Sequence, residues 1–104
     1  MQTTISARHC EIPGTLRERA AAVLDRLGTV APRPIESTVV FDSEANRPSA
    51  ELRLHLAHGE ILIARGEGED HRSALDQAEA KLRRQLVKAA VRPRRTRASQ
   101  PKSR

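Results

Sequence analysis

The chain has 104 residues, 38% of them apolar, 31% charged and 1% aromatic, with a net charge of +6. That length allows one small domain. With Phe41 the sole aromatic, the core must be built from Leu, Ile, Val and Ala, and base stacking on aromatic platforms is excluded. No apolar run approaches the ~20 residues of a membrane span, nothing at the start resembles a signal peptide, and the single Cys10 has no intramolecular partner. A cytoplasmic protein is expected.

Taken in chain order, residues 2–8 are β-branched and alternate, with Thr3 and Ile5 on one face, as in a short strand. The segment "IPGTLRERAAAVLDRLG" predicts a helix with apolar stripe Leu16, Ala20, Val23, Leu24 and Leu27. Thr15 and Glu18 stand at capping-box spacing, and Gly28 is placed as the C′ glycine. Arg17, Arg19 and Arg26 lie off the stripe, and "APRP" stops the helix.

Three strands are expected next. Residues 35–42 put Ile35, Ser37, Val39 and Phe41 on one face, and "SEANRPS" reads as a turn. Residues 50–57 set Leu52, Leu54 and Leu56 against Glu51, Arg53 and His55. His58-Gly59 reverses the chain into residues 60–65, where "ILIA" is apolar on both faces, as in a covered central strand or a bulge. Asp70 is the expected N-cap of a second helix ending near Val91, before Pro93. On that helix Leu75, Ala78, Leu82, Leu86 and Ala89 share a sector about 80° wide. Residues 93–104 are Arg-, Pro- and Ser-rich without apolar period, and are expected to be disordered until bound. The fold class is therefore α+β, in the order β-α-β-β-β-α, a four-stranded sheet with two helices packed on one face. Its domain is residues 1–92 and its basic tail residues 93–104.

Charge is divided unevenly along this plan. Residues 1–80 hold nine Arg against thirteen Asp and Glu; residues 81–104 hold ten Lys and Arg and no acid. Such a split points to a polyanionic partner, nucleic acid before an anionic membrane. Within "KLRRQLVK" the leucines face the core. Lys81, Arg84 and Lys88 then emerge in a row, one helical turn of ~5.4 Å apart, close to the spacing of successive phosphates on a strand. Arg83 projects from the other flank, within reach of Glu79 four residues earlier.

These residues resemble a known family. Ile12 and Leu16-Arg17 match its helix entry, Glu67-Gly68 and Asp70 its "EG-x-D", Ala74-Leu75-Asp76 its "A-I-D". Lys81, Leu82, Arg84, Gln85, Leu86 and Lys88 match its "DKLxRQLxKxK". The resemblance, over roughly residues 2 to 92, is to the ribosome hibernation-promoting factors, also called ribosome-associated inhibitors or sigma-54 modulation proteins. It implies a fold similar to double-stranded-RNA-binding domains and no catalysis. It also implies binding to the small ribosomal subunit and its 16S rRNA, in the mRNA and tRNA channel, within 30S and 70S particles, with translation silenced in stationary phase or stress. By position, Lys81, Arg84 and Lys88 are the expected rRNA contacts, with Arg83 and Arg92 beside them and Arg26 keeping a basic place on the first helix. Arg72 stands where the family carries an aromatic, and Val23 where it often carries Lys. The length matches the short type, expected to be a monomer when free.

No cofactor, metal, membrane or small-molecule substrate is expected. His55 and His58 lack a third ligand nearby, the His9-Cys10 pair lacks an oxyanion loop, and "GEGED" is too acidic to cradle phosphate. The rival readings are a regulatory adaptor that docks a protein on its sheet and a general RNA-binding module not tied to the ribosome.

Overall fold

The computed structural model describes residues 1–91, and side chains through residue 88. Arg92, the side chain of Ala89 and the expected tail, residues 93–104, lie outside the described residues. The elements are β1 (Gln2–Arg8), α1 (Gly14–Val30), β2 (Pro34–Glu44), β3 (Arg47–Leu56), β4 (Ile61–Glu67) and α2 (His71–Val91). The order is the expected β-α-β-β-β-α. One four-stranded sheet runs β1-β2-β3-β4, with β1 parallel to β2 across the α1 crossover and the other pairs antiparallel.

Register follows the alternation of apolar residues. Ile5 lies opposite Val39, Val39 opposite Leu52, and Leu52 opposite Ala64, so one file of inward side chains crosses all four strands. Against that face pack Leu16, Ala20, Val23, Leu24 and Leu27 of α1, and Ala74, Leu75, Ala78, Leu82 and Leu86 of α2. Helix α1 thus buries its predicted stripe, and α2 the described part of its own, Leu75, Ala78, Leu82 and Leu86, on one side of the sheet. Leu75 and Leu82 are fully buried, each worth about 1.5–3 kcal/mol over leaving it exposed. Phe41, also fully buried, meets the His71 ring edge-on at 5.8 Å.

Four local expectations are corrected. Helix α1 begins at Gly14 behind an N-cap Pro13, whose carbonyl accepts the Leu16 and Arg17 N–H groups at 3.1 Å. Thr15 is therefore already inside the first turn and no capping box forms. Gly28 lies inside the helix and not at its end. The stop comes from Pro32, because the residue before a proline is driven out of helical geometry, and Ala31 is extended at φ −85°, ψ 144°. Strand β4 is an edge strand without a bulge: Leu62 and Ala64 face in, while Ile61 and Ile63 remain about half exposed. The irregularity lies instead in β2, between Pro34 and Glu36, and it turns Ile35 out of the expected face to 47% exposure.

The turn in "SEANRPS" is tighter than its composition suggests. Strands β2 and β3 pair out to Glu44 and Arg47, leaving Ala45-Asn46 as a two-residue loop with φ of 51° and 61°. That is the backbone of a primed hairpin turn. Near the same end of the sheet, on β4, α2 comes down onto Gly66, where a methyl group would run into the Ala74 carbonyl and the Ala78 nitrogen. Gly66 thereby sets how closely α2 lies against β4.

Candidate nucleic-acid interface

Helix α2 starts where Asp70 accepts the Ser73 N–H at 2.8 Å. That bond holds the Asp70 carboxyl below its ordinary value. From this fixed start the buried Leu75, Leu82 and Leu86 orient the helix, and the sector beside them runs along the free edge of β4. Lys81 Nζ donates to the Arg65 carbonyl and Gln85 Nε2 to the Ile63 carbonyl, both at 2.8 Å. These bonds satisfy strand groups that an exposed edge would leave open. They also hold the Lys81 ammonium at a defined place, spending one of its three donors.

Arg84 and Lys88 continue the row, exposed and without an ion pair among the described residues. The expected row of Lys81, Arg84 and Lys88 is thus present on one exposed sector of α2. Arg83 and Arg26 are brought together elsewhere, on one carboxylate. Arg83 donates to Glu79 at 3.3 and 3.4 Å, and Arg26 reaches both oxygens of the same group at 3.2 and 3.3 Å. The remaining α1 arginines are also engaged. Arg19 pairs with Asp76 at 2.9 Å, and Arg17 donates to the Ile5 carbonyl of β1 at 3.4 Å.

Two arginines that sequence reasoning passed over lie next to the row. Arg47, Arg65, Glu67, Gln77 and Lys81 line an open groove of about 450 Å³ that wraps the β4 edge. Arg47 Nε donates to Glu67 at 3.3 Å, and Arg65 Nη2 lies 3.5 Å from Glu67 and 3.7 Å from Glu44. Treating "SEANRPS" as loop hid Arg47; extending the strand alternation by three residues would have put it on the same face as Arg65.

Elsewhere on the sheet, charges stand in local pairs beside the half-exposed Ile61 and Ile63. Arg53 meets Glu51 at 3.3 Å, and His55 lies 4.0 Å from Glu36. His58 goes to Glu60 at 3.2 Å, apart from His55. His9 Nδ1 donates to Asp42 at 3.0 Å and His71 Nε2 to the Asp42 carbonyl at 2.8 Å. The His9 bond, joined by the Ser43 N–H, holds the Asp42 carboxyl below its ordinary value against the opposing effect of burial. Among the described residues no group of three His, Cys, Asp or Glu is arranged to hold a metal. An apolar cleft of about 430 Å³ opens between the starts of the two helices, away from the row. Of its polar side chains, Asp70, His71 and Arg19 are committed to the bonds named above, and Thr15 and Arg72 complete the lining. No helix among the described residues is long and apolar enough to cross a membrane.

Comparison with known proteins gives this geometry a context. Residues 3–94 match the family described as Sigma 54 modulation protein / S30EA ribosomal protein. A ribosome hibernation promotion factor of Rhizobium meliloti (strain 1021) is 29% identical over 87 residues, covering 83% of this chain and 46% of the relative. The chain thus spans about half the length of that curated relative. Among solved structures, a ribosomal subunit interface protein from Coxiella burnetii superposes with a TM-score of 0.75 at 20% identity, covering 88% of this chain and 99% of the other. The N-terminal domain of Thermus thermophilus Protein Y gives 0.72 at 24% identity, covering 85% and 98%. These two likenesses bear on the fold, and the fold is theirs. By the match across residues 3–94, this chain belongs to the Sigma 54 modulation protein / S30EA ribosomal protein family.

Proposed function

We propose that this protein is a ribosome hibernation factor. In this reading it occupies the mRNA and tRNA channel of the small ribosomal subunit, holds 16S rRNA, and keeps the ribosome from translating under stress or in stationary phase. It acts in the cytoplasm by occupancy and catalyses nothing. The observation that carries the reading is the exposed row of Lys81, Arg84 and Lys88, fixed to a rigid helix at a pitch suited to a phosphate backbone. Names of relatives, a hibernation promotion factor and a subunit interface protein, support the same partner. Arg83 and Arg26 form a second cationic pair on Glu79, with one positive charge to spare. Residues 92–104, rich in Arg and free of acid, would add attraction that is independent of sequence.

A protein-docking adaptor has less support, because the half-exposed Ile61 and Ile63 of the open sheet face lie opposite the charged or polar His55 and Arg53, and Arg53 is itself paired with Glu51. Sedimentation tests the reading. Mixed with intact ribosomes at low salt, the protein should travel with 30S and 70S particles, and should inhibit a purified translation system. Protein that stays at the top of the gradient would refute the reading. Equal binding to any unrelated RNA duplex, at the same salt, would move it to a general RNA binder.

A further inference from the structure

We propose that the groove over the β4 edge is a second phosphodiester site, taking the RNA backbone onward from the α2 row to the β2–β3 hairpin. This rests on the ribosome-binding reading and extends it to Arg47 and Arg65.

Three cations converge on the groove against two carboxylates, Glu67 in its wall and Glu44 at 3.7 Å from Arg65, which leaves one positive charge in excess. Elsewhere on the open face Arg53 is matched one to one by Glu51. The bonds inside the groove leave donors unused. Arg47 gives Glu67 only its Nε–H, and both its terminal nitrogens remain available. Arg65 turns Nη2 to the two acids and keeps its other N–H groups. A guanidinium has five donors in a rigid fork matched to phosphate oxygens, so one carboxylate orients it without exhausting it. Lys81, tied to the Arg65 carbonyl, has two donors left. Gln77 adds a neutral amide to the wall.

Lys81 belongs to both surfaces, and that points to a polymer and not a small anion. A strand laid along Lys88, Arg84 and Lys81 covers ~10 Å of helix and arrives at the groove mouth. The hairpin is what makes the continuation possible: the two-residue turn at Ala45-Asn46 keeps Arg47 in register on β3, opposite Glu44, at the far wall. The groove is open to solvent, as a passing backbone requires.

The test compares two double variants of equal charge change. Arg47→Ala with Arg65→Ala removes the groove; Arg8→Ala with Arg53→Ala removes two arginines of the same open face outside it. Affinity for purified 30S subunits is measured against salt. The groove variant should bind roughly tenfold or more weakly at 0.1 M salt, and its slope of log K against log salt should fall by about 1.5 to 2. The Arg8/Arg53 variant should keep the wild-type slope. Single Arg47→Ala, at the exposed hairpin, should lose about one unit of slope and serves if the double variant melts early. Equal losses in both doubles, or a wild-type slope in the groove variant, would overturn the second site and leave the α2 row standing. Failure of the wild-type protein to bind 30S would instead overturn the ribosome reading itself.

Discussion

Lys81 does two jobs that pull its substitution in two directions. Its ammonium is part of the exposed row, and its bond to the Arg65 carbonyl closes part of the β4 edge. Lys81→Ala should therefore lower the melting temperature by a few degrees, in line with a net hydrogen bond of about 0.5–1.5 kcal/mol. Arg84→Ala and Lys88→Ala, whose side chains make no intramolecular ion pair among the described residues, should leave the melt unchanged. Equal melts for all three variants would remove the edge role from Lys81. The other informative residue is Asp42. Its folded carboxyl titrates below the ordinary 3.8, chiefly because His9 donates to it. The unfolded chain therefore takes up the proton first as pH falls. The stability that Asp42 contributes is whole above about pH 3.8 and drains as pH drops through the lower folded value. Asp42→Asn should melt lower than wild type at pH 6, and the gap should close toward pH 2. A gap constant across that range would show that the carboxylate charge is not what matters.

Packing explains which elements were legible in the sequence. Leu52, Leu54 and Leu56 alternate with Glu51, Arg53 and His55, and β3 places them on opposite faces accordingly. The α2 stripe was equally plain, because 3.6-residue spacing of Leu75, Leu82 and Leu86 leaves one face to bury. Leu82→Ala should cost ~2–5 kcal/mol through the cavity it leaves, measured by chemical denaturation; a loss under 1 kcal/mol would contradict its place in the core. What misled was local chemistry that tertiary contacts overrule. Thr15 and Glu18 have the spacing of a capping box, but Pro13 starts the helix two residues earlier. Gly28 looks like a terminal glycine, yet its missing side chain makes room for the Met1 thioether, which a Cβ there would strike. "ILIA" is apolar on both sides because an edge strand here leaves Ile61 and Ile63 on the open face, a cost that no periodicity announces.

Across the whole molecule, charge is sorted by what the helices need for packing. Arg17, Arg19 and Arg26 of α1 are spent on the Ile5 carbonyl, Asp76 and Glu79, fastening α1 to β1 and α2. The row on α2 and the groove beside it retain their donors on the outside. The row was readable from spacing and from the family's last-helix motif. The Arg83–Glu79 pair was readable from its four-residue spacing, but the arrival of Arg26 on the same Glu79 and the convergence of Arg47 and Arg65 depend on contacts between elements far apart in the chain, so spacing did not reveal them. On the proposed reading the α2 row grips the phosphate backbone of rRNA. Affinity of wild type and of the Lys81→Ala, Arg84→Ala, Lys88→Ala triple variant for 30S subunits, measured from 0.05 to about 0.3 M salt, tests it most directly. Three lost phosphate contacts should reduce the slope of log K against log salt by about 2 to 3 units. An unchanged slope in a variant that remains folded would make the row a merely solvated face.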